Sequence, residues 1–426
     1  MYRGSMATLG LLVQKFGGTS VADVERIGHV ARRVVATAEM GKRVCVVVSA
    51  MGDTTDELLA LSARVARAPH PRELDMLLSA GERISMALLA MAIEEQGRRA
   101  VSFTGGQAGI VTDTLHGKAR IVHIKARRLR EALDAGRICI VAGFQGVSTE
   151  DDDTTLGRGG SDMTAVALAA ALEADGCEIL TDVEGVYTAD PRIVREARKL
   201  ATLSFEEMLE LAASGAGVLM ARSVEVARTH GVPIHVRSSF TDAEGTWIGP
   251  ELAVTDGMEQ PIVSAVAHDT SEAKVTIGGV PDRPGIAARL FRPLADAGIN
   301  IDMIVQNVSA EGVTDISFTL PKSDLARARP LLAEVREALG AEALSEDDDI
   351  GKVTLVGAGM KTHPGVAADM FDALADAGIN IQIISTSPIR ISCVVRATDL
   401  ERAVQAVHDR FGMAEASIVR EEVASS

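Results

Sequence analysis

Aromatic side chains are scarce. Nine Phe, two Tyr and one Trp make up 3% of 426 residues, too few for base-stacking platforms or aromatic ligand cages. Cysteine is as sparse. Cys45, Cys139, Cys177 and Cys393 form no CxxC pair and sit in apolar runs, which reads as four buried, reduced thiols. Positive charge is outnumbered, 43 Lys and Arg against 59 Asp and Glu, for a net charge of −16. That balance argues against general nucleic-acid binding and favours solubility. There is no P-loop signature, no Gly-x-Gly-x-x-Gly after a strand, no His-Glu-x-x-His and no Cys/His cluster. The nine histidines are scattered; His29 on a helix and His235 on an apolar strand read as structural. No signal peptide is visible and no apolar run is long enough to span a bilayer, so a soluble cytoplasmic protein is expected. Met1 to Ser5 read as a remnant of cloning, with Met6 as the natural start.

What is present is a chain long enough for two to three domains with substantial cores. One short stretch organises it: Lys15-Phe16-Gly17-Gly18-Thr19-Ser20-Val21. An apolar run, Leu9 to Val13, leads in as a buried strand. Val24, Ile27, Ala31, Val34 and Val35 follow at helical spacing. A strand ending at a lysine, a Gly-Gly turn and a helix opening at Thr19-Ser20 suit phosphate. Glycines let backbone N–H groups approach, and a helix start adds free donors. Lys15 would set a full positive charge beside a transferring phosphoryl group. A plain tight βα turn accounts for this stretch equally well when it is taken alone.

Up to about Ser239 the chain alternates strand-like and helix-like runs. Strands are expected at Arg43 to Ser49, Ala100 to Phe103, Arg137 to Phe144, Glu178 to Leu180 and Val232 to Arg237. Helices are expected at Thr55 to Arg67, Arg72 to Glu95, Ser161 to Glu173 and Phe205 to Ala213. Such alternation implies an α/β domain with a largely parallel sheet, whose ligands bind beyond the carboxyl ends of its strands. Phe240 to Pro261 is rich in Gly and Pro and reads as a linker. Beyond it lies an internal repeat. Ala295-Asp296-Ala297-Gly298-Ile299-Asn300-Ile301 recurs as Ala375-Asp376-Ala377-Gly378-Ile379-Asn380-Ile381. Lys274-Val275-Thr276-Ile277 recurs as Lys352-Val353-Thr354-Leu355, and Pro284-Gly285 as Pro364-Gly365. A period near 80 residues fits two copies of a small domain, each a ferredoxin-like βαββαβ unit. The acidic run Ser345 to Asp349 between them reads as a solvated loop.

Three further stretches carry chemistry. In Thr154 to Asp162, glycines surround Arg158 just before a helix. Arg158 is a natural bidentate clamp for a carboxylate, and Ser161 offers an N–H and a hydroxyl. Simple capping by Ser161 is the plainer account. In Thr181 to Arg192 a strand ends at Asp182 and a turn-rich loop follows; a polar surface loop fits as well. Gly81-Glu82-Arg83 interrupts a helix with a charge pair. Glu82 there either faces an ammonium group or is an ordinary exposed carboxylate. Together these groups suit moving a phosphoryl group onto a small charged acceptor by positioning and charge neutralisation.

In order and spacing, these stretches, with Val48-Ser49-Ala50-Met51-Gly52, resemble the aspartokinases of the amino-acid kinase superfamily. The resemblance covers nearly the whole chain, and the repeat looks like their tandem ACT regulatory domains. It implies a three-layer αβα sandwich at 6–245, a linker at 246–262, and two ACT domains at 263–345 and 346–426. It also implies ATP-dependent phosphorylation of the L-aspartate side chain to 4-phospho-L-aspartate, the entry to lysine, threonine, methionine and diaminopimelate biosynthesis. By match, Lys15 would neutralise the transferring phosphoryl group and Asp162 would orient Lys15. Gly17, Gly18, Thr19 and Ser20 would line the phosphates. Arg158 would clamp the α-carboxylate of aspartate, Glu82 would hold its ammonium, and Ser49 and Ser161 would contact it. Thr181, Asp182, Tyr187, Asp190 and Arg192 would hold the nucleotide. Mg2+ would bridge the phosphates with few protein ligands, so no metal residue is named. The acceptor carboxylate is already ionised at neutral pH and needs no general base.

For regulation, Asp282, Gly285, Ala287 and Gln306 match the effector-facing loop and strand of the first ACT domain. Asn300, Ile301, Asn380 and Ile381 match Asn-Ile pairs whose backbone meets an amino acid; ordinary strand packing is the plainer account. Threonine is the expected inhibitor, with lysine, alone or jointly, the second candidate. Met258 matches an internal start used by related genes, so an α2β2 assembly stands beside a homodimer. Two departures from the resemblance stand out. Gly217 replaces a basic residue expected near the nucleotide phosphates, which predicts weaker ATP binding or slower turnover. Pro388 replaces a frequent glutamate, which removes a partner for lysine's ammonium. The alternatives are a sister kinase acting on glutamate or acetylglutamate, and a non-catalytic amino-acid sensor. Arg158, Glu82 and the tandem repeat oppose the first, and intact Lys15 and Arg158 stretches oppose the second.

Overall fold

A computed structural model of the protein describes residues 10–250, 262–307 and 312–414. Met1 to Met6, Leu9, Met258 and most of the expected linker lie outside the described residues. The described chain forms two compact units. One comprises 10–186, 199–212 and 217–250; the other comprises 187–198, 213–216 and the residues from 262 onward.

In the first unit the chain runs β1 (Leu11–Phe16), α1 (Val24–Glu39), β2 (Arg43–Val48), α2 (Thr54–Val65), α3 (Pro71–Glu95), β3 (Ala100–Phe103), β4 (Ile110–Thr112), β5 (Ile121–Ile124) and α4 (Arg127–Asp134). It continues through β6 (Ile138–Ala142), β7 (Gln145–Ser148), β8 (Asp153–Thr155), α5 (Gly160–Leu172), β9 (Gly176–Thr181), β10 (Thr202–Ser204), α6 (Phe205–Ala213), α7 (Ala221–His230), β11 (Ile234–Ser238) and β12 (Thr246–Gly249). Eight strands make one sheet in the order β10-β12-β11-β9-β1-β2-β6-β3. All its pairings are parallel except β11 with β12. Every residue of β1 and β6 is buried, as continuous apolar strands covered on both faces must be. On one face α1 and α3 pack Ile27, Val30, Val34, Leu89 and Ile93 against Val44, Val46 and Ile140. Asp23 caps α1 by accepting from the Arg26 N–H at 2.8 Å.

Gly81-Glu82-Arg83 does not interrupt its helix; α3 runs unbroken for 25 residues. Gly81 is there because a Cβ would stand 2.8 Å from that of Ala50. This helix is also long and apolar enough to cross a membrane, against the expectation of no such run; its packed face, however, buries Asp75, Ser79, Glu82 and Ser85. The expected linker begins too early, because β12 closes onto β11 through Ile248↔Ile234. A second sheet, β5-β4-β7-β8, leaves no periodic mark in the sequence. Its strands of three or four residues are too short to show a period. His235 stacks on Trp247, with ring centroids 3.9 Å apart, and all four cysteines are buried and unpaired.

The second unit contains β13 (Ala265–Asp269), β14 (Glu272–Pro281), α8 (Ile286–Asp296), β15 (Ile304–Gln306), β16 (Val313–Pro321), α9 (Lys322–Leu339) and β17 (Ala343–Asp347). Then come β18 (Ile350–Val356), α10 (Val366–Asp376), β19 (Ile383–Ser387), β20 (Arg390–Arg396) and α11 (Leu400–Arg410). Its sheets are β15-β16-β14-β17 and β13-β18-β20-β19, both antiparallel. The first is the expected βαββαβ unit. The second completes its four strands with β13, which precedes the first copy in sequence, so the first copy is inserted into the second. Period alone does not reveal this, because β13 lies outside the repeated stretches. The acidic run expected as a loop lies largely in β17, an edge strand on β14, where its charges protect an open edge.

Candidate active site

The carboxyl end of β1 delivers Lys15, and the first turn of α5 delivers Asp162. Lys15 Nζ lies 2.6 Å from Asp162 Oδ1, with both side chains only 11% exposed. In the turn after β1 the Gly17 N–H donates to Leu180 O at 3.1 Å, which ties the turn to β9. A Cβ on Gly18 would stand 3.0 Å from Ala50 O, so only glycine lets the turn pass so close to the end of β2. Thr19 is exposed and Ser20 buried. Ser20 Oγ donates to Ser239 Oγ at 2.8 Å, and Ser239 Oγ donates to Thr181 O at 3.1 Å. A hydroxyl relay thus joins the glycine turn to the end of β9. Thr181 in turn donates to the Asp182 carboxylate at 3.0 Å.

Ser49 follows β2, and its N–H donates to Phe16 O at 3.1 Å. Glu82 comes from the middle of α3 and is 3% exposed, not the exposed carboxylate its charge pair allows. Its Oε1 accepts from the Ala50 N–H at 3.1 Å, while Oε2 finds no donor among the described residues. Burial pushes its carboxyl up to about 7, against the hydrogen bond from Ala50. A buried acceptor with nothing to accept from is the arrangement an incoming ammonium would complete. Ser161 opens α5 against Gly143, where a Cβ would lie 2.8 Å from Ser161 Oγ and 2.9 Å from Val48 O. The next residue, Phe144, holds φ at 66°, a strained value for a side chain of this size. The Phe144 N–H donates to Thr164 Oγ1 at 3.1 Å, and its carbonyl accepts from the Leu156 N–H at 2.8 Å. Arg158 stands exposed between Gly157 and Gly159, at φ 78° and 70°.

The remaining nucleotide-loop residues are packed within the second unit. Tyr187, Asp190 and Arg192 fall in the second unit, where Ala189 and Val194 enter the core of α10, α11 and β18. Thr188 O accepts from the Val266 N–H at 2.7 Å, and Thr188 Oγ1 meets His408 Nε2 at 3.0 Å. Arg192 pairs with Asp190 at 2.6 Å. Gly217 is exposed, with nothing within 4 Å of a Cβ built on it. The nearby Arg222 is engaged: its guanidinium donates to Leu156 O at 3.1 Å and Ala119 O at 3.0 Å.

Among the regulatory candidates, Gly285 caps α8 at φ 92° and Gly365 caps α10 at φ 102°, so the repeat extends to left-handed backbone that favours glycine. Asp282, Ala287, Asn300, Gln306 and Asn380 are exposed, while Ile301 and Ile381 are half-buried. Pro388 is exposed in the turn from β19 to β20. The residues that follow the two Asn-Ile pairs, Asp302 and Gln382, form reciprocal contacts. Lys352 of β18 lies 2.6 Å from Asp302 and 2.5 Å from Glu272, and Lys274 of β14 donates to Gln382. Each copy's first-strand lysine therefore grips the other copy just past its Asn-Ile pair. Both lysines mark the repeat in the sequence, and their recurrence at one repeat position is the signal for this shared role.

A family model described as the amino acid kinase family matches residues 10–238, and one for the ACT domain matches 275–335 and 353–411. The chain is 59% identical over 408 residues to the aspartokinase of Mycobacterium tuberculosis, covering 95% of this chain and 97% of that one. It is 58% identical over 406 residues to the aspartokinase of Corynebacterium glutamicum, covering 95% and 96%. The crystal structure of E. coli aspartokinase III in complex with aspartate and ADP superposes with a TM-score of 0.81 at 28% identity, covering 94% of this chain and 99% of that one. The chain thus belongs to the amino acid kinase family, as one of its aspartokinases with tandem ACT domains.

Proposed function

We propose that this aspartokinase transfers the γ-phosphoryl group of ATP to the side-chain carboxylate of L-aspartate, giving 4-phospho-L-aspartate. The observation that carries this reading is the Lys15–Asp162 pair at the mouth of β1, with Glu82 on α3, whose Oε2 has no partner among the described residues. Lys15 neutralises charge on the transferring group, and Asp162 holds its ammonium in place. Gly17, Gly18, Thr19 and Ser20 line the phosphates. Glu82 receives the substrate's α-ammonium, Arg158 clamps its α-carboxylate, and Ser49 and Ser161 contact it. Thr181, Asp182, Tyr187, Asp190 and Arg192 hold the nucleotide. The E. coli structure with aspartate and ADP supports this substrate pair. No group of three or more His, Cys, Asp or Glu side chains converges among the described residues. A magnesium ion here would take its ligands from phosphate and water, as that ion prefers, and would neutralise phosphate charge. The ATP requirement fits a cytoplasmic enzyme.

Regulation is proposed to run through the ACT repeat, with threonine as the inhibitor acting at Asp282, Gly285, Ala287, Asn300, Ile301, Gln306, Asn380 and Ile381. E. coli aspartokinase III has been crystallised with lysine and aspartate, which supports an amino-acid effector. Pro388 withholds an acidic partner from lysine, so lysine is the weaker effector here. The protein assembles as a homodimer or as α2β2. The test is hydroxamate formation from aspartate, ATP and hydroxylamine, with threonine or lysine titrated at sub-saturating aspartate. Turnover with aspartate and none with glutamate or acetylglutamate is expected; no turnover, with effectors still binding, would make the chain a sensor. Activity that ignores both amino acids would remove the regulatory reading.

A further inference from the structure

Asp75 lies on α3 seven residues before Glu82 and is 1% exposed. Three donors converge on its carboxylate. His116 Nδ1 lies 2.8 Å from Oδ2, the Gly117 N–H reaches both oxygens at 3.0 and 3.1 Å, and the Thr155 hydroxyl donates to Oδ1 at 2.5 Å. Beside a carboxylate, Nδ1 of His116 is the nitrogen that carries the proton. These partners come from two separate segments. His116 and Gly117 sit in the turn between β4 and β5, and Thr155 ends β8, which runs directly into Gly157-Arg158-Gly159.

The two segments are also joined to each other. The Ala119 N–H donates to Thr155 O at 2.9 Å. Gly157 lies so close to the turn that a Cβ there would stand 3.1 Å from Gly117 O. From the other side Arg222 spans Leu156 O and Ala119 O. Every residue from Thr155 to Gly157 is thus pinned, and the first free side chain after them is the exposed guanidinium of Arg158. We propose that Asp75 is a positioning residue for aspartate binding, which sets the Arg158 turn by holding Thr155 and the 116–117 turn on one buried carboxylate. This rests on Arg158 being the clamp for the substrate's α-carboxylate. The same helix then fixes both ends of the substrate's amino-acid group: Glu82 directly, and Arg158 through Asp75.

The chemistry makes the carboxylate hard to replace. Asparagine has nearly the same shape but offers one acceptor oxygen and an NH2, and the NH2 meets donors where it needs an acceptor. Asp75→Asn, Arg158→Lys and the double variant of the full chain are compared by steady-state kinetics and thermal melting. Asp75→Asn is expected to raise the KM for aspartate by about tenfold or more while the ATP KM stays within about twofold. The double variant is expected to be little worse than Arg158→Lys alone, since a clamp can be lost only once. A purely structural role would shift both KM values or neither, and its effect would multiply with that of Arg158→Lys; either result overturns the proposal. Should Asp75→Asn fail to fold, Thr155→Val removes one donor at constant shape. A several-fold, aspartate-specific rise in KM is expected from it, and an unchanged KM overturns the proposal. An unchanged aspartate KM in Arg158→Lys removes the clamp reading itself, and the proposal with it, whereas a raised one beside an unaffected Asp75→Asn removes Asp75 alone.

Discussion

Lys15 and Asp162 stand 2.6 Å apart at the end of the fifth strand from the β10 edge of an eight-stranded sheet. They are separated by most of the catalytic unit's sequence, and neither has much access to water. In such a site a fixed charge acts with little screening and little reorganisation. Lys15→Ala is expected to lower kcat by about 10^2- to 10^3-fold, the loss typical of one preorganised charge-stabilising group. Asp162→Asn should lower it less, since the ammonium survives and only its placement suffers. Single-turnover phosphoryl transfer reads both, and a Lys15→Ala enzyme with parental kcat would refute the role.

Glu82 gives a pH signature. Its carboxyl titrates near 7 when folded, against an ordinary value of 4.5, chiefly because burial penalises the charged form. In the proposed role Glu82 meets the substrate ammonium in its ionised form, so the KM for aspartate should fall as pH rises from 6 through about 7, and Glu82→Gln should flatten that profile. Stability moves in the opposite sense. Between pH 4.5 and about 7 the folded state keeps a proton that the unfolded chain releases, so stability declines with rising pH. The full decline is roughly 3 kcal/mol, complete above pH 7 and absent in Glu82→Gln. Denaturant midpoints at pH 5.5 and 8 for both proteins check the sign.

Gly217 has open space where a side chain would begin, so Gly217→Lys should fold normally. The variant is expected to lower the ATP KM several-fold or raise kcat, if the resemblance is right that position 217 faces the nucleotide phosphates. If neither constant moves, glycine at position 217 has no kinetic meaning here.

Lys352 is 2% exposed and shared by Glu272 and Asp302. Burial works against all three charges. The lysine's charge still holds Asp302 below the usual carboxylate range, while burial keeps Glu272 above it. Lys352→Met leaves two acids without their cation, and breaking such a group costs about 3–5 kcal/mol. Adding Glu272→Gln and Asp302→Asn should recover part of that. Thermal denaturation of the single and triple variants measures it, and an unchanged midpoint for Lys352→Met would contradict the buried-pair account.

Local spacing carried a great deal by itself. The Lys15 and Arg158 turns, the parallel alternation and the two ferredoxin-like copies are legible in contiguous residues, because turns, caps and periodicity act over a few positions; the family is legible only through the resemblance of those motifs to known aspartokinases. What the tertiary structure decided depends on distant segments meeting. The insertion of the first ACT copy into the second rests on β13 crossing to β18. Tyr187, Asp190 and Arg192 sit with the regulatory unit because Ala189 and Val194 are buried there. Glu82 and Glu178 look alike in sequence yet titrate near 7 and near 2. Burial opposes ionisation of both, but His235, Gln14 and Arg237 outweigh it only at Glu178. Asp75 reads as one more acid on a helix until three donors from two other segments close on it. A sequence states which groups are available; desolvation and long-range partners determine which of them are charged, held or free.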